Sequence, residues 1–121
     1  MRILLLTYEL PPVGGGGGRV AQDIAERLSK RGHEIIIITS HLKGLPKEEI
    51  LDGGIRVIRV SCLRREAFRA GFLTMGAYIL SGFWAGLRLT SNWQPDIIHV
   101  HFAVPTGVLA WALSRLRKIP Y

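Results

Sequence analysis

The first forty residues carry the pattern that most restricts how this chain can fold. Two short apolar runs, "RILLLT" at Arg2–Thr7 and the β-branched "EIIIIT" at Glu34–Thr39, are typical of strands buried on both faces. Between them, residues 19–31 place apolar side chains on one face of a helix, and Gly32 follows at the position of a C-cap. Two such strands joined by a helix lie parallel with a right-handed crossover. The pattern therefore predicts a parallel sheet.

The alternation of strands and helices continues along the chain. "IRVIRV" at Ile55–Val60 and "PDIIHVHF" at Pro95–Phe102 are predicted as the third and fourth strands, and "GVLAWALSRLRK" at Gly107–Lys118 as a helix. Residues 41–54 are predicted to be a connection, and the basic residues of the third strand favour a place near the sheet edge. We predict an α/β fold with a Rossmann-like doubly wound parallel sheet in the strand order 3-2-1-4.

The segment Ala70–Leu87 has no charged residue and leaves three interpretations open. A buried crossover helix is favoured, because the fold needs a helix between strands three and four. Arginines flank the segment, so residues 64–88 could instead make peripheral contact with a membrane surface. A transmembrane span is disfavoured, because it would separate strands three and four across the bilayer.

Composition limits the class of protein. With 121 residues, 48% of them hydrophobic, the chain suits a single domain, residues 1–121. The formal charge of +7 favours anionic partners. One cysteine, Cys62, excludes an internal disulfide, and the N-terminal apolar run is too short for a signal peptide. We therefore expect a cytoplasmic protein, which could lie at the inner membrane surface.

The glycine run in "ELPPVGGGGGR", residues 9–19, lies where a doubly wound sheet binds ligands, between the first strand and the first helix. It fails the Gly-x-Gly-x-x-Gly register, since the sixth position is Arg19 or Val20, and no Gly-Lys-Ser or Gly-Lys-Thr follows. A dinucleotide-dependent oxidoreductase is therefore disfavoured, and a non-catalytic nucleotide-binding module remains an alternative. Glycines that only permit positive φ are the structural alternative, but so many favour a role for exposed backbone N–H groups.

Three segments in order resemble the N-terminal domain of retaining glycosyltransferases of family 4, the glycogen-synthase-like group with the GT-B fold. They are "TYELPPVGGGGGRV", "LSKRGHEIIIIT" and "PDIIHVHFAVPTG". The spacing from the Gly-His-Glu motif at Gly32 assigns the family's glycine pair to Gly15 and Gly16. The three further glycines are a departure from the family pattern.

The resemblance implies an enzyme that transfers a hexose from a nucleotide-diphosphate sugar to a glycan, lipid or small-molecule acceptor, with retention of configuration. It implies no metal, no cofactor beyond this donor substrate, and no nucleic-acid partner. The chain would be the acceptor-side domain, ending before its last strands and without the C-terminal donor-binding domain. The catalytic histidine would lie beyond residue 121, so we expect the chain alone to be inactive.

The resemblance also implies site residues. Gly15, Gly16, Gly17 and Gly18 would form a loop that faces the donor phosphates and borders the acceptor.

Four further positions are candidates for the acceptor cleft: Glu9, His101, Thr106 and Gly107. Glu9 could equally be a solvated carboxylate, and Thr106 a helix N-cap. His99 shares a strand face with His101 and is expected to make a buried hydrogen bond instead. A zinc site is disfavoured, because no third ligand has credible spacing.

Overall fold

A computed structural model of the chain describes residues 1–11, 16–42, 44–64, 72–101 and 106–121. The elements in chain order are β1 (Arg2–Thr7), α1 (Gly16–Lys30), β2 (Glu34–Leu42), β3 (Glu48–Ile50), β4 (Arg56–Arg64), α2 (Phe72–Asn92), β5 (Ile97–His101) and α3 (Thr106–Arg117). Strands and helices alternate except at β3, so the predicted α/β class is confirmed.

The five strands form one sheet in the order β3-β4-β2-β1-β5. The neighbours β4, β2, β1 and β5 pair in parallel, which confirms the predicted order 3-2-1-4 for the four predicted strands. The short strand β3 pairs antiparallel with β4 and forms the edge. Residues 41–54 are therefore more than a connection, and the third predicted strand lies one place inside the edge.

Two arginines of β4 hold strand β3: Arg56 forms an ion pair with Glu48 at 3.2 Å, and Arg59 makes the buried contacts. The Arg59 side chain is 2% exposed and forms an ion pair with Glu49 of β3 at 2.5 Å. Its guanidinium also donates to the carbonyl of Pro46 at 3.1 Å, and its backbone N–H donates to the carbonyl of Lys47 at 2.7 Å. A buried guanidinium needs such partners, so β4 cannot place Arg59 inside without bringing this segment against it.

Successive residues of β1 enter two different cores, as the prediction of a strand buried on both faces requires. Leu4 and Leu6 pack on the side of the sheet covered by α2 and α3, together with Ile98 of β5. Ile3 and Leu5 pack on the side covered by α1. The continuous apolar run is thus explained by a layer of helices on each face.

Helix α2 is the crossover from β4 to β5, as the favoured interpretation predicted, and it packs closely on α3. A Cβ atom at Gly82 would come within 2.7 Å of a Leu109 methyl group, and one at Gly86 within 2.7 Å of a Leu113 methyl group. The lack of side chains at these two glycines therefore leaves room for two leucines of α3 that are one helical turn apart. None of the helices in the described ranges combines the length and apolarity needed to cross a bilayer.

Helix α1 ends where the sequence predicted but begins earlier. Gly32 has φ of 91°, and its N–H donates to the carbonyl of Ser29 at 3.0 Å, so it closes the helix as expected of a C-cap glycine. At the other end the helix starts at Gly16, three residues before the predicted start at Arg19. Gly16, Gly17 and Gly18 therefore belong to the first turn of α1 and not to a loop.

Candidate functional site at the carboxyl edge of the sheet

The candidate site lies where the carboxyl ends of β1 and β5 meet. Thr7, the last residue of β1, is in register with His101, the last residue of β5. The chain reverses its direction of winding at this pair of strands, since β2 and β4 lie to one side of β1 and β5 lies to the other. Such a switch point is where doubly wound sheets bind their ligands.

Buried hydroxyl groups fix the backbone at the end of β1. The hydroxyl of Tyr78 in α2 lies 3.3 Å from the carbonyl of Thr7 and 3.1 Å from that of Ile38. Ser40 Oγ donates to the carbonyl of Tyr8 at 2.6 Å. Carbonyl groups that leave a sheet at a strand end need other donors, and these two side chains supply them.

The sequence analysis did not identify Tyr78 or Ser40. The signal for Tyr78 was available, because it is the one tyrosine of the uncharged segment Ala70–Leu87 and a buried phenol requires a hydrogen-bond partner. Its partners could not be inferred, because they belong to strands distant in sequence.

At Gly18 the start of α1 packs closely against the turn that follows β1. A Cβ atom at this position would lie 3.0 Å from the carbonyl oxygen of Glu9 and 3.2 Å from the nitrogen of Leu10. The carbonyl of Glu9 also accepts a hydrogen bond from Thr7 Oγ1 at 2.8 Å. The first turn of α1 is therefore seated directly on the backbone beside the switch point.

Two helix N-termini face this edge without an acidic residue in their first turns. Helix α1 follows β1 and helix α3 follows β5, and neither has Asp or Glu in its first turn. The first N–H groups of a helix have no partner within it and carry the positive end of the helix dipole. The edge therefore offers donors and positive potential to an anionic ligand.

His101 and His99 lie together on the α1 side of β5. Their ring centroids are 4.7 Å apart, which confirms the predicted shared face. Burial, and then the neighbouring His99, lower the pKa of His101 below the ordinary value of 6.5. His101 Nε2 is buried and has no hydrogen-bond partner among the described residues. A neutral imidazole is thus present at the switch point with a nitrogen still available.

Thr106 and Gly107 open α3 in different ways. Thr106 is fully buried, and its hydroxyl donates to the carbonyl of His101, so it ties the start of α3 to the end of β5. A Cβ atom at Gly107 would meet no atom of the described residues within 4 Å. Of the two, only Gly107 leaves open space at this edge.

The structure thus brings Glu9, Gly18, His101, Thr106 and Gly107 to the same edge of the sheet. Glu9 is half-buried in the turn after β1. Gly15 lies outside the described residues, while Gly16 and Gly17 are placed as the first helical residues of α1. Among the residues that the structure describes, no three His, Cys, Asp or Glu side chains come close enough to hold a metal ion.

Comparison with known proteins places the chain in a family. The sequence pattern of Glycosyltransferase Family 4 matches residues 14–121. The chain belongs to glycosyltransferase family 4. The resemblance found in the three sequence segments is thereby confirmed, and the oxidoreductase alternative is not supported.

Two relatives in the family have similar identity to this chain. Glycogen synthase from Mycobacterium tuberculosis is 31% identical over 117 residues, which cover 84% of this chain and 28% of the relative. The 2-deoxystreptamine N-acetyl-D-glucosaminyltransferase from Streptomyces fradiae is 31% identical over 122 residues, covering 93% of this chain and 28% of the relative. The family 4 chain thus spans about 28% of the length of these curated relatives.

A solved structure supports the fold. Sucrose-phosphate synthase from Thermosynechococcus elongatus matches with a TM-score of 0.75 at 18% sequence identity, over 97% of this chain and 30% of that one. At this identity the likeness concerns the fold alone. The family 4 chain has the α/β architecture of a GT-B domain, as predicted.

Proposed function

We propose that the chain is the acceptor-side domain of a retaining glycosyltransferase that transfers a hexose from a nucleotide-diphosphate sugar to a glycan, lipid or small-molecule acceptor. Family membership supports the transferase class. The observation that carries the site assignment is the close packing of Gly18 against the turn after β1, which holds the first turn of α1 at the switch point.

The first turn of α1 would face the donor diphosphate. When the bond between the sugar and the diphosphate breaks, negative charge grows on the diphosphate oxygens. Backbone N–H groups that already point at those oxygens stabilise this charge without reorganising. Glycine suits such a turn because no Cβ separates the N–H groups from the ligand. Gly15 to Gly17 would supply this backbone, and Gly18 would fix its position.

The acceptor would lie between the turn after β1 and the end of β5. His101 is held neutral by its environment, so one ring nitrogen can accept a hydrogen bond from an acceptor hydroxyl. Gly18 packs against the backbone carbonyl of Glu9, and the Glu9 carboxylate could orient a second hydroxyl of the acceptor. Gly107 leaves space beside them for the acceptor.

The groups that hold the nucleotide and perform the chemistry are proposed to lie outside this chain. The relatives are more than three times as long as the segment that they share with it. We expect no metal requirement, and no transferase activity from the 121 residues alone.

Titration of the chain with UDP, GDP and ADP, and with their sugar conjugates, tests the assignment by heteronuclear NMR. We expect weak binding, on the order of millimolar, because half a site makes few contacts. The amide signals that shift should belong to the first turns of α1 and α3. A nucleoside without phosphates is the control and should shift neither set.

Two outcomes would contradict the proposal. Tight binding that does not depend on the sugar would indicate a non-catalytic nucleotide-binding module. Shifts confined to the amino edge of the sheet, around Arg2 and Asp96, would place the ligand on the wrong side of the molecule. For the proposed longer protein, sugar transfer to an acceptor is the direct assay.

A further inference from the structure

The outer side of α2 carries an exposed apolar stripe that the fold does not use. Leu80 and Trp84 are one helical turn apart and are 67% and 65% exposed, and Arg88 follows one turn later, also exposed. The inner side of the same helix already contacts the sheet and α3 through Tyr78, Gly82 and Gly86. The stripe therefore contributes little to folding.

The helix that carries the stripe has no acidic side chain. Of the nine acidic residues of the chain, only Asp96 follows Glu66. Asp96 accepts a hydrogen bond from the backbone of Arg2 at 2.7 Å, at the amino edge of the sheet. An anionic partner would thus meet no carboxylate of α2 itself.

A groove of about 590 Å³ borders the stripe, between β4 and α2. Its lining includes Arg88, Trp84, Ser61 and Ser81. A cation, two hydroxyl groups and an amphipathic ring are the groups that contact lipid headgroups at a membrane surface.

We propose that the outer side of α2 binds the surface of an anionic lipid bilayer, with Leu80 and Trp84 at the level of the headgroups and Arg88 on lipid phosphates. A second copy of the chain fits this surface less well. Two apolar side chains fall far short of the roughly 800 Å² per partner of a standard interface.

The position of the stripe determines which edge of the sheet would lie near the membrane. Tyr78 contacts the carbonyl of Thr7, the last residue of β1, and that of Ile38 beside it in β2, and Leu80 follows Tyr78 by two residues. The stripe therefore begins level with the carboxyl edge of the sheet. If the proposed function holds, a lipid-linked acceptor would reach that edge from the same membrane. This consequence rests on the proposed function, whereas the lipid binding does not.

Sedimentation with vesicles tests the proposal on the chain itself, without donor or acceptor. Vesicles of phosphatidylcholine are compared with vesicles that also contain phosphatidylglycerol, each at low and at high salt. We expect binding to the anionic vesicles that weakens in high salt. The double variant L80Q/W84Q should lower the partition coefficient at least about tenfold, and R88Q about fivefold.

The matched control is V108Q/W111Q on α3. Val108 and Trp111 are 48% and 54% exposed, so the control removes a comparable exposed pair from the neighbouring helix. It should leave vesicle binding unchanged. All variants replace exposed side chains by a good helix former, and circular dichroism should show unchanged thermal unfolding.

Four results would overturn the proposal. They are the absence of pelleting with anionic vesicles, equal binding to neutral vesicles at high salt, an equal loss in V108Q/W111Q, and a concentration-dependent dimer that L80Q/W84Q abolishes. The last would assign the stripe to contacts between copies of the chain. Because no nucleotide is present, none of these results bears on the proposed transferase function.

Discussion

Helices α1 and α2 both contain glycines at close contacts, but the atoms opposite those glycines differ. Gly18 of α1 faces backbone, the carbonyl of Glu9 and the nitrogen of Leu10. Gly82 and Gly86 of α2 face the methyl ends of two leucine side chains. Backbone held in a turn cannot move without disturbing β1, whereas a leucine can change rotamer. The first contact fixes the candidate site, and the second only packs two helices.

The largest effect is expected at Gly18. In Gly18→Ala the new methyl group would press on the turn after β1, and we expect the free energy of unfolding to fall by about 2 kcal/mol, as in overpacked cores. Urea unfolding measures this loss. Gly107→Ala, at the first turn of α3 with open space around it, is the matched control and should lose nothing. A G18A variant as stable as G107A would show that Gly18 does not pack closely against this turn.

Tyr78 should come next, because its hydroxyl links α2 to the same turn. Tyr78→Phe leaves the carbonyls of Thr7 and Ile38 without this donor, and we expect a loss of about 1 to 2 kcal/mol. Hydrogen exchange should accelerate around Thr7 and Ile38 more than between α2 and α3. Uniform acceleration would contradict a local role.

Gly82→Ala tests the contact with a side chain and should cost less, about 1 kcal/mol, because Leu109 can shift. Thermal unfolding of G82A, L109V and the double variant forms a double-mutant cycle. The shorter side chain should recover part of the loss, so the coupling energy should favour the pair. Gly76→Ala in the same helix meets no atom within 4 Å and should gain up to about 1 kcal/mol. If G82A also gains stability, the contrast between the two helices is wrong.

The smallest predicted effect is a pH dependence of the free energy of unfolding, which should arise at His101 and not at the contact between α2 and α3. His101 has a lowered pKa in the folded chain, so the unfolded chain binds its proton more readily. The free energy of unfolding should therefore fall as the pH drops below the ordinary value of 6.5 and towards the lowered pKa. His101→Gln should reduce this dependence, measured by urea unfolding across the range. The loss caused by G82A should not change with pH, since no titratable group is changed there.

The periodicity of the sequence predicted the elements with strong local patterns. Continuous apolar runs such as those of β1 and β2 are typical of strands in a sheet that is covered on both faces. Gly32 ends α1 because this position has positive φ, which glycine adopts without strain. The close packing of α2 on α3 depends on Gly82 and Gly86, whereas a Cβ atom at Gly76 would meet no atom of the described residues within 4 Å.

The features that the sequence analysis missed depend on contacts between distant residues. Strand β3 has three residues and forms because Arg59, ten residues after Glu49, is buried and needs a carboxylate partner. Helix α1 starts inside the glycine run because the turn after β1 supports Gly18, although glycine is a poor helix former. For the site, the edge could be predicted from topology and the glycines, but the hydrogen-bond partners of Tyr78 and Ser40 could not. The ligand-facing roles of Gly15, Glu9, His101, Thr106 and Gly107 stay predictions.

Strand β3 also affects how the sheet meets other molecules. The outermost strand on this side has only three residues, and two of them, Glu48 and Glu49, are acidic. A long apolar edge would be a template for strand addition and fibril growth, whereas a short charged one is a poor template. By bringing these glutamates against β4, Arg56 and Arg59 protect the inner parallel strands from aggregation.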